Sequence, residues 1–312
     1  MGVQQAVVAP PVRARPASSR GRLREALTGW AFSAPFLILF LVFLALPILA
    51  SFLISFTDFS LGNLVDPLSA PFVGLKNYVR LFHDETFLQA TRNTAIYVIA
   101  GVALNVAVGL AAAVALNRGI NRFRAVFRVG YYLPVVSSIV AVAIVWRFLF
   151  NADFGLVNGI LSGLGIKGPD WLGKPGLALA IITLLLVWRN FGNSMILFLA
   201  GLQGIPNDLY EAARIDGAGR WQEFRYVTLP MLRPTMLFVT VITTIGFLQI
   251  FEEPFVMTQG GPLNGTLSLS MYVYREAFNF FHQGYASAIA YTLFVVIAAI
   301  TLLQFRLLRS ET

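Results

Sequence analysis

Six apolar stretches, each about 20 residues or longer, run at roughly 31–56, 94–116, 131–150, 177–202, 234–257 and 285–305, and they leave the chain few ways to fold. A hydrocarbon layer is about 30 Å thick, which about 20 helical residues cross. Inside it every backbone donor and acceptor needs an internal partner, so spans of this length specify helices. Composition agrees: 57% of the 312 residues are hydrophobic and 12% are charged, where a soluble domain carries about a quarter charged. The expected fold class is all-α: a polytopic membrane protein of six transmembrane helices occupying 29–309 in a lipid bilayer.

The charges sort by side once the spans are drawn. Arg13, Arg15, Arg20, Arg22 and Arg24 precede the first span; Arg118, Arg122, Arg124 and Arg128 separate the second and third. Arg214, Arg220, Arg225 and Arg233 separate the fourth and fifth, and Arg306 and Arg309 follow the sixth. The opposite side holds Lys76, Arg80, Arg92, Lys167, Lys174 and Arg275. This asymmetry places both termini in the cytoplasm. It also makes the basic pI of about 10.0 a consequence of topology, so no nucleic-acid partner is implied.

Residues 1–28 are rich in Pro, Ser, Ala and Arg and read as a disordered basic cytoplasmic tail, with a short helix over 23–30. The apolar run after it is too long for the core of a signal peptide and reads as an uncleaved first span. The segment 57–92 is half polar, with Leu75, Tyr78, Val79 and Phe82 at helical spacing, and predicts amphipathic helices at the outer surface. Pro134 is a kink candidate in the third span, and Pro254 one at the outer end of the fifth. Trp171 reads as an interface anchor and Arg147 as a residue reaching for the interface.

With no cysteine, structural disulfides and cysteine-ligated metals are excluded. His83 and His282 leave little histidine chemistry, and no Walker glycine loop, HExxH pair or Ser-His-carboxylate set is present. No enzyme, metal site or cofactor is expected. Chemistry concentrates instead in two polar clusters within the spans. Arg189, Asn190 and Asn193 lie about halfway along the fourth; an arginine facing lipid there would cost about 2.5 kcal/mol or more, so it should face the bundle interior or a polar cavity. Asn190 and Asn193 are three apart and offer amides to hydroxyl groups, with Trp188 as an apolar plate for a sugar if the helix is distorted. Gln249, Glu252 and Glu253 share a face by spacing near the outer end of the fifth span. Both clusters are candidate solute-pathway groups, or else glue between neighbouring helices. Ser137, Ser138 and Ser194 are left without a role.

One segment between spans also reads as folded: 205–234, IPNDLYEAARIDGAGRWQEFRYVTLPMLRP. Pro206 suits a helix start, with Asp208 in its first turn; Leu209, Ala213 and Asp216 fall on one side. Gly217 and Gly219 break the helix, and Trp221, Phe224 and Thr228 mark a second short helix that Pro230 should end. Large apolar groups at helical spacing in a charged segment suit a docking element better than a tether.

The run Glu211, Ala212, Ala213, Asp216, Gly217 and Ala218, followed by Phe224, Leu229, Pro230 and Pro234, resembles the EAA loop of the membrane subunits of binding-protein-dependent ABC importers. Two further stretches resemble that family's sugar-importing branch, which holds the maltose and glycerol-phosphate permeases. One is 72–78, FVGLKNY, followed by Phe87, Asn93 and Thr94; the other is Thr258, Gly260, Gly261, Pro262 and Thr266 ahead of the last span. The resemblance covers nearly everything from about residue 31 onward. It implies a type I importer permease fold in the bacterial cytoplasmic membrane, with a coupling helix in the 205–234 loop seated on an ATP-hydrolysing subunit. On the same resemblance Glu211 makes a charged contact, Ala212 and Ala213 permit close approach, and Gly217 sets the turn. Asp216 either joins that contact or only ends the helix. The implied partners are a second homologous permease subunit, two ATP-binding subunits, an extracytoplasmic solute-binding protein, and a sugar or polyol as solute. The sizeable insertion of the maltose-type subunit is missing, so its contacts with the binding protein do not transfer. The alternatives are a stand-alone secondary transporter, for which acids at mid-membrane are lacking, and a non-transporting membrane scaffold.

Overall fold

The computed structural model describes residues 19–63, 65–66, 69–118 and 124–308. Residues 1–18 of the expected tail, and Arg13, Arg15, Arg122 and Arg309 among the orienting charges, lie outside the described residues. The chain divides into two units, Met1–Ser51 and Phe52–Thr312. In the first, helix α1 (Ser19–Phe40) passes through a π turn (Leu41–Ala45) into α2 (Leu46–Ile54). The helix is continuous from Ser19, so it takes in the short helix expected over 23–30 and starts four residues before it: an apolar span nucleates a helix that good formers such as Leu23 and Ala26 let propagate backward. None of the described side chains up to Ser51 is buried, and a helix apolar on all sides needs lipid or another helix around it.

The second unit holds α3 (Lys76–Leu81), α4 (Glu85–Arg118), α5 (Arg124–Val136), α6 (Ile139–Leu149), α7 (Leu156–Gly163) and α8 (Pro175–Gln203). Then come α9 (Asn207–Ile215), α10 (Arg220–Glu223), α11 (Leu229–Met231), α12 (Arg233–Leu248), α13 (Glu252–Thr258), α14 (Leu269–Tyr274) and α15 (Gln283–Leu308). No strand is present among the described residues. Among the described residues, four helical stretches are long and apolar enough to cross a membrane, Leu27–Ile54, Glu85–Asn117, Pro175–Gln203 and Gln283–Leu307, and up to six if each of two bent pairs counts as one span.

Two spans are bent, and the bend in the third follows the kink candidate Pro134. The third span is broken by 94° between α5 and α6. Pro134 cannot donate to the helix, the Ser137 hydroxyl donates to the Leu133 carbonyl at 2.8 Å, and Ser138 is extended at the start of α6. The fifth span is broken too: α12, about 24 Å long by its residue count, stops at Leu248, and α13 starts after Phe251. Pro254 sits in the first turn of α13, where its missing N–H costs nothing, so the interruption precedes it. The helix that Pro230 was expected to end stops one residue beyond it. A π turn (Phe224–Thr228) ahead of it absorbs the lost bond, the helix runs on to Met231, and α12 begins with Pro234 in its first turn after a bend of 67°. The second span begins earlier than expected, at Glu85, because the Asp84 carboxylate caps it, accepting from the Thr86 and Phe87 amides at 2.9 and 3.2 Å. Arg92 is thereby part of that helix.

Helix α8 is the axis of the core. Buried side chains along it (Ile182, Leu185, Met195, Phe198) pack against Tyr97 and Leu116 of α4 and Phe247 and Val239 of α12. Close approach requires glycine at two places. A Cβ on Gly109 would stand 2.7 Å from that of Ser194, and one on Gly192 would run into the Tyr131 carbonyl oxygen. At the end of the bundle carrying α3 and α14, the two sequence stretches noted above meet. Asn93 Nδ2 donates to the carbonyls of Asn264 (2.8 Å) and Leu267 (3.0 Å), and Thr94 Oγ1 accepts from the Leu269 amide at 3.0 Å. The Thr258 and Thr266 hydroxyls are 2.6 Å apart, closing the loop between α13 and α14. Asn77 ties α3 to the carbonyls of Ser55 and Thr57, both at 2.9 Å. Trp171 is a clamp inside the 151–176 loop, its Nε1 donating to Asn158 Oδ1 at 2.7 Å, and Arg147 lines a second cavity beside Asp153 and Asp170.

Candidate functional site

A cavity of about 430 Å³ opens between α8, α12 and the break before α13. From α8, Arg189, Asn190, Asn193 and Ser194 face it at offsets of one, four and five, a single helical stripe. From α12 come Ile242, Thr243 and Gly246, one face at spacings of three and four, and the broken segment adds Gln249, Phe251, Glu252 and Glu253. Its size falls within the range of about 300–1,000 Å³ usual for small-molecule sites, and its wall mixes apolar side chains with a few converging polar groups.

All but one of the solute-pathway candidates thus meet in one place. Trp188 is the exception: it does not line the cavity, and its ring lies 5.7 Å from that of Trp146. On a regular helix it points away from Asn190, and α8 is not distorted there. The shared face expected for Gln249, Glu252 and Glu253 is also corrected, since Gln249 closes α12 and the two glutamates open α13. The break, and no common helix, brings them together. Arg189 Nη1 donates to Glu253 Oε1 at 3.0 Å, with the Glu253 side chain 6% exposed. Asn190 Nδ2 donates to the Leu186 carbonyl at 2.9 Å. Ser194 donates to Oδ1 of Asn105, which is fully buried on α4 behind the cavity wall. Ser194 was given no role from sequence, although its offset of four from Asn190 is a signal for the same face. Thr243 and Phe251 carried no comparable signal.

At the far end of α8, the chain forms a helix-turn-helix before α12. Pro206 precedes α9; Gly217, with φ +81°, makes the turn, and its amide and that of Ala218 close onto the carbonyls of Arg214 and Ala213 at 3.0 and 2.9 Å. Gln222 Oε1 accepts from the Gly219 amide at 2.7 Å and starts α10. Two side-chain ties lock the arms: Arg214 Nε donates to the buried Glu223 at 2.8 Å, and the Tyr210 and Thr228 hydroxyls are 3.1 Å apart. Outward it presents Glu211, Ala212, Asp216 and Gly217, with Ala213 half-buried. Ile215 and Trp221 are also exposed, at 86% and 69%. Trp221 is therefore a surface group, with Thr228 alone of its predicted face fully buried.

Residues 105–310 match the family model described as binding-protein-dependent transport system inner membrane component. The chain is 41% identical over 294 residues to the probable ABC transporter permease protein YesP of Bacillus subtilis (strain 168), covering 92% of each. It is 39% identical to the lactose transport system permease protein LacF of Rhizobium radiobacter, covering 89% of this chain and 93% of that one. Among solved structures, a chain of a bacterial ABC transporter involved in the import of the acidic polysaccharide alginate superposes with a TM-score of 0.81 at 26% identity, over 93% of this chain and 98% of that one.

Proposed function

The chain belongs to the family of binding-protein-dependent transport system inner membrane components and is the permease subunit of a sugar- or polyol-importing ABC transporter, and from that premise we propose that its solute crosses through the cavity between α8 and α12. It is a multi-pass inner-membrane protein that works within an ABC import complex, with ATP hydrolysed by separate subunits. The observation that carries the proposal is shared support. The two helices that line the cavity, α8 and α12, are also the two that the helix-turn-helix joins at the opposite end. A push on that hairpin therefore reaches both cavity walls through continuous helix, as coupling by rigid elements requires.

In this reading both termini are cytoplasmic, the hairpin faces the cytoplasm, and an ATP-binding subunit of a pair receives the exposed surface around Glu211, Ala212, Ala213, Asp216 and Gly217. A second homologous permease completes the route, and an extracytoplasmic solute-binding protein delivers a carbohydrate at the α3 and α14 end. Asn190, Asn193, Gln249 and Thr243 supply the amides and hydroxyls that hydroxyl groups of such a solute pair with. Reconstitution with its partners tests this. Asn193→Leu should abolish solute-dependent ATP hydrolysis while leaving assembly intact. Gly217→Val, forced into a left-handed conformation it resists by roughly 1–2 kcal/mol, should leave solute binding intact and uncouple hydrolysis from uptake. Normal coupled uptake by both variants would overturn the proposal.

A further inference from the structure

The charges of the cavity restrict its solute further than its shape does. Among the described residues that line it, the ionisable ones are Arg189, Glu252 and Glu253. Arg189 is paired across the cavity: its Nη1 donates at 3.0 Å to Glu253, a nearly buried side chain of α13, while its buried Nε has no hydrogen-bond partner among the described residues. Glu252 is exposed and makes no ion pair among the described residues. The other polar lining groups, Asn190, Asn193, Ser194, Thr243 and Gln249, are neutral amides and hydroxyls.

Resting on the reading of this cavity as the solute route, we propose that this subunit's half of the route selects an uncharged polyhydroxyl solute, and that Glu253 is the residue that sets this selectivity. By pairing with Arg189, it offsets the charge of the cavity's cation and weakens its pull on a carboxylate, sulfate or phosphate of the solute. Glu252 adds repulsion toward the same groups, and a site whose potential opposes the ligand's charge discriminates strongly. An ion pair that only fastened α13 to α8 would predict something different: loss of either partner would weaken binding of every solute alike.

The test uses the complete transporter in lipid nanodiscs without its binding protein. Equilibrium binding is measured for a panel of neutral disaccharides, each paired with its uronate. The wild type should bind a neutral member roughly tenfold or more tighter than its uronate. Glu253→Gln, which frees Arg189, should tighten uronate binding until the two lie within about threefold. The double variant Arg189→Gln, Glu253→Gln has lost the cation and keeps Glu252, so it should restore the neutral preference, an outcome that general loosening would not produce. Equal binding of both members by the wild type, or an unchanged ratio in Glu253→Gln, would overturn the proposal. Asn193→Leu separates the two levels: if it abolishes binding while Glu253→Gln leaves the ratio unchanged, charge selection alone fails. If it leaves all binding intact, the cavity is not the route and both readings fail.

Discussion

Gly192 has no side chain because the Tyr131 carbonyl oxygen stands where one would go. Gly192→Ala should cost about 1–3 kcal/mol by forcing α5 and α8 apart, read as a lower midpoint of thermal unfolding in detergent. The ion pair of the hairpin is unequal in burial, and that decides which partner matters more. The Glu223 side chain is 5% exposed and that of Arg214 is 64% exposed. Arg214→Ala takes the guanidinium away from a buried carboxylate, whereas Glu223→Gln leaves the exposed arginine to water and keeps a polar group in the buried position, so the first should raise hydrogen exchange across the hairpin more than the second. At this scale the residues that stand out in the sequence are those whose chemistry is out of place for their surroundings. Arg189 and Asn193 are conspicuous in an apolar span because their burial is costly. Ser194 and Asn105 are not, since small polar groups are ordinary in membrane helices, and their hydrogen bond joins residues 89 apart in sequence.

Asp84 joins three elements. Its carboxylate caps α4 and accepts from the hydroxyls of Tyr272 on α14 and Tyr285 on α15, while the Arg80 guanidinium lies 4.1 Å from the centre of the Tyr285 ring. Burial alone would raise the Asp84 pKa, but the hydrogen bonds from Tyr272, Tyr285 and the Phe87 and Thr86 amides hold it below its ordinary value of 3.8. A carboxyl lowered in the folded state stabilises above its ordinary pKa and loses that contribution as pH falls through the folded value. The stability difference between wild type and Asp84→Asn should therefore stay flat from about pH 8 to 5 and shrink only below about pH 4, followed by thermal unfolding across pH. Elements were legible by length and period: α4, α8 and α15 follow directly from long apolar runs. Their interruptions were less so. Pro134 and Pro254 flagged two spans as irregular, yet the break in the fifth falls at Gln249–Phe251, where no proline or glycine stands and where Ile250 packs among residues distant in sequence and its carbonyl accepts from the Ser268 hydroxyl at 2.6 Å. Pro230 marked the end of its helix to within one residue, but the π turn ahead of it carried no signal in the sequence.

In the unit Phe52–Thr312 the cavity lined by Arg189 and Asn193 and the folded hairpin are both built on α8 and α12. That the bundle is helical, and that 205–234 is folded, could be read from apolar length and from charge interleaved with large side chains. That hairpin and cavity share the same two helices could not, because it depends on the break that turns Gln249 and Glu252 inward. The account predicts that motion of the hairpin changes which side of the membrane reaches the cavity. The chain has no cysteine, so Asn193→Cys adds a unique thiol to this subunit at the cavity wall. The most direct measurement is labelling of that thiol by a membrane-impermeant maleimide applied from either side of proteoliposomes holding the assembled transporter, with and without a non-hydrolysable ATP analogue. Nucleotide should switch the reactive side, and Gly217→Val in the same chain should abolish the switch. Labelling from one side only, whatever the nucleotide, would contradict it.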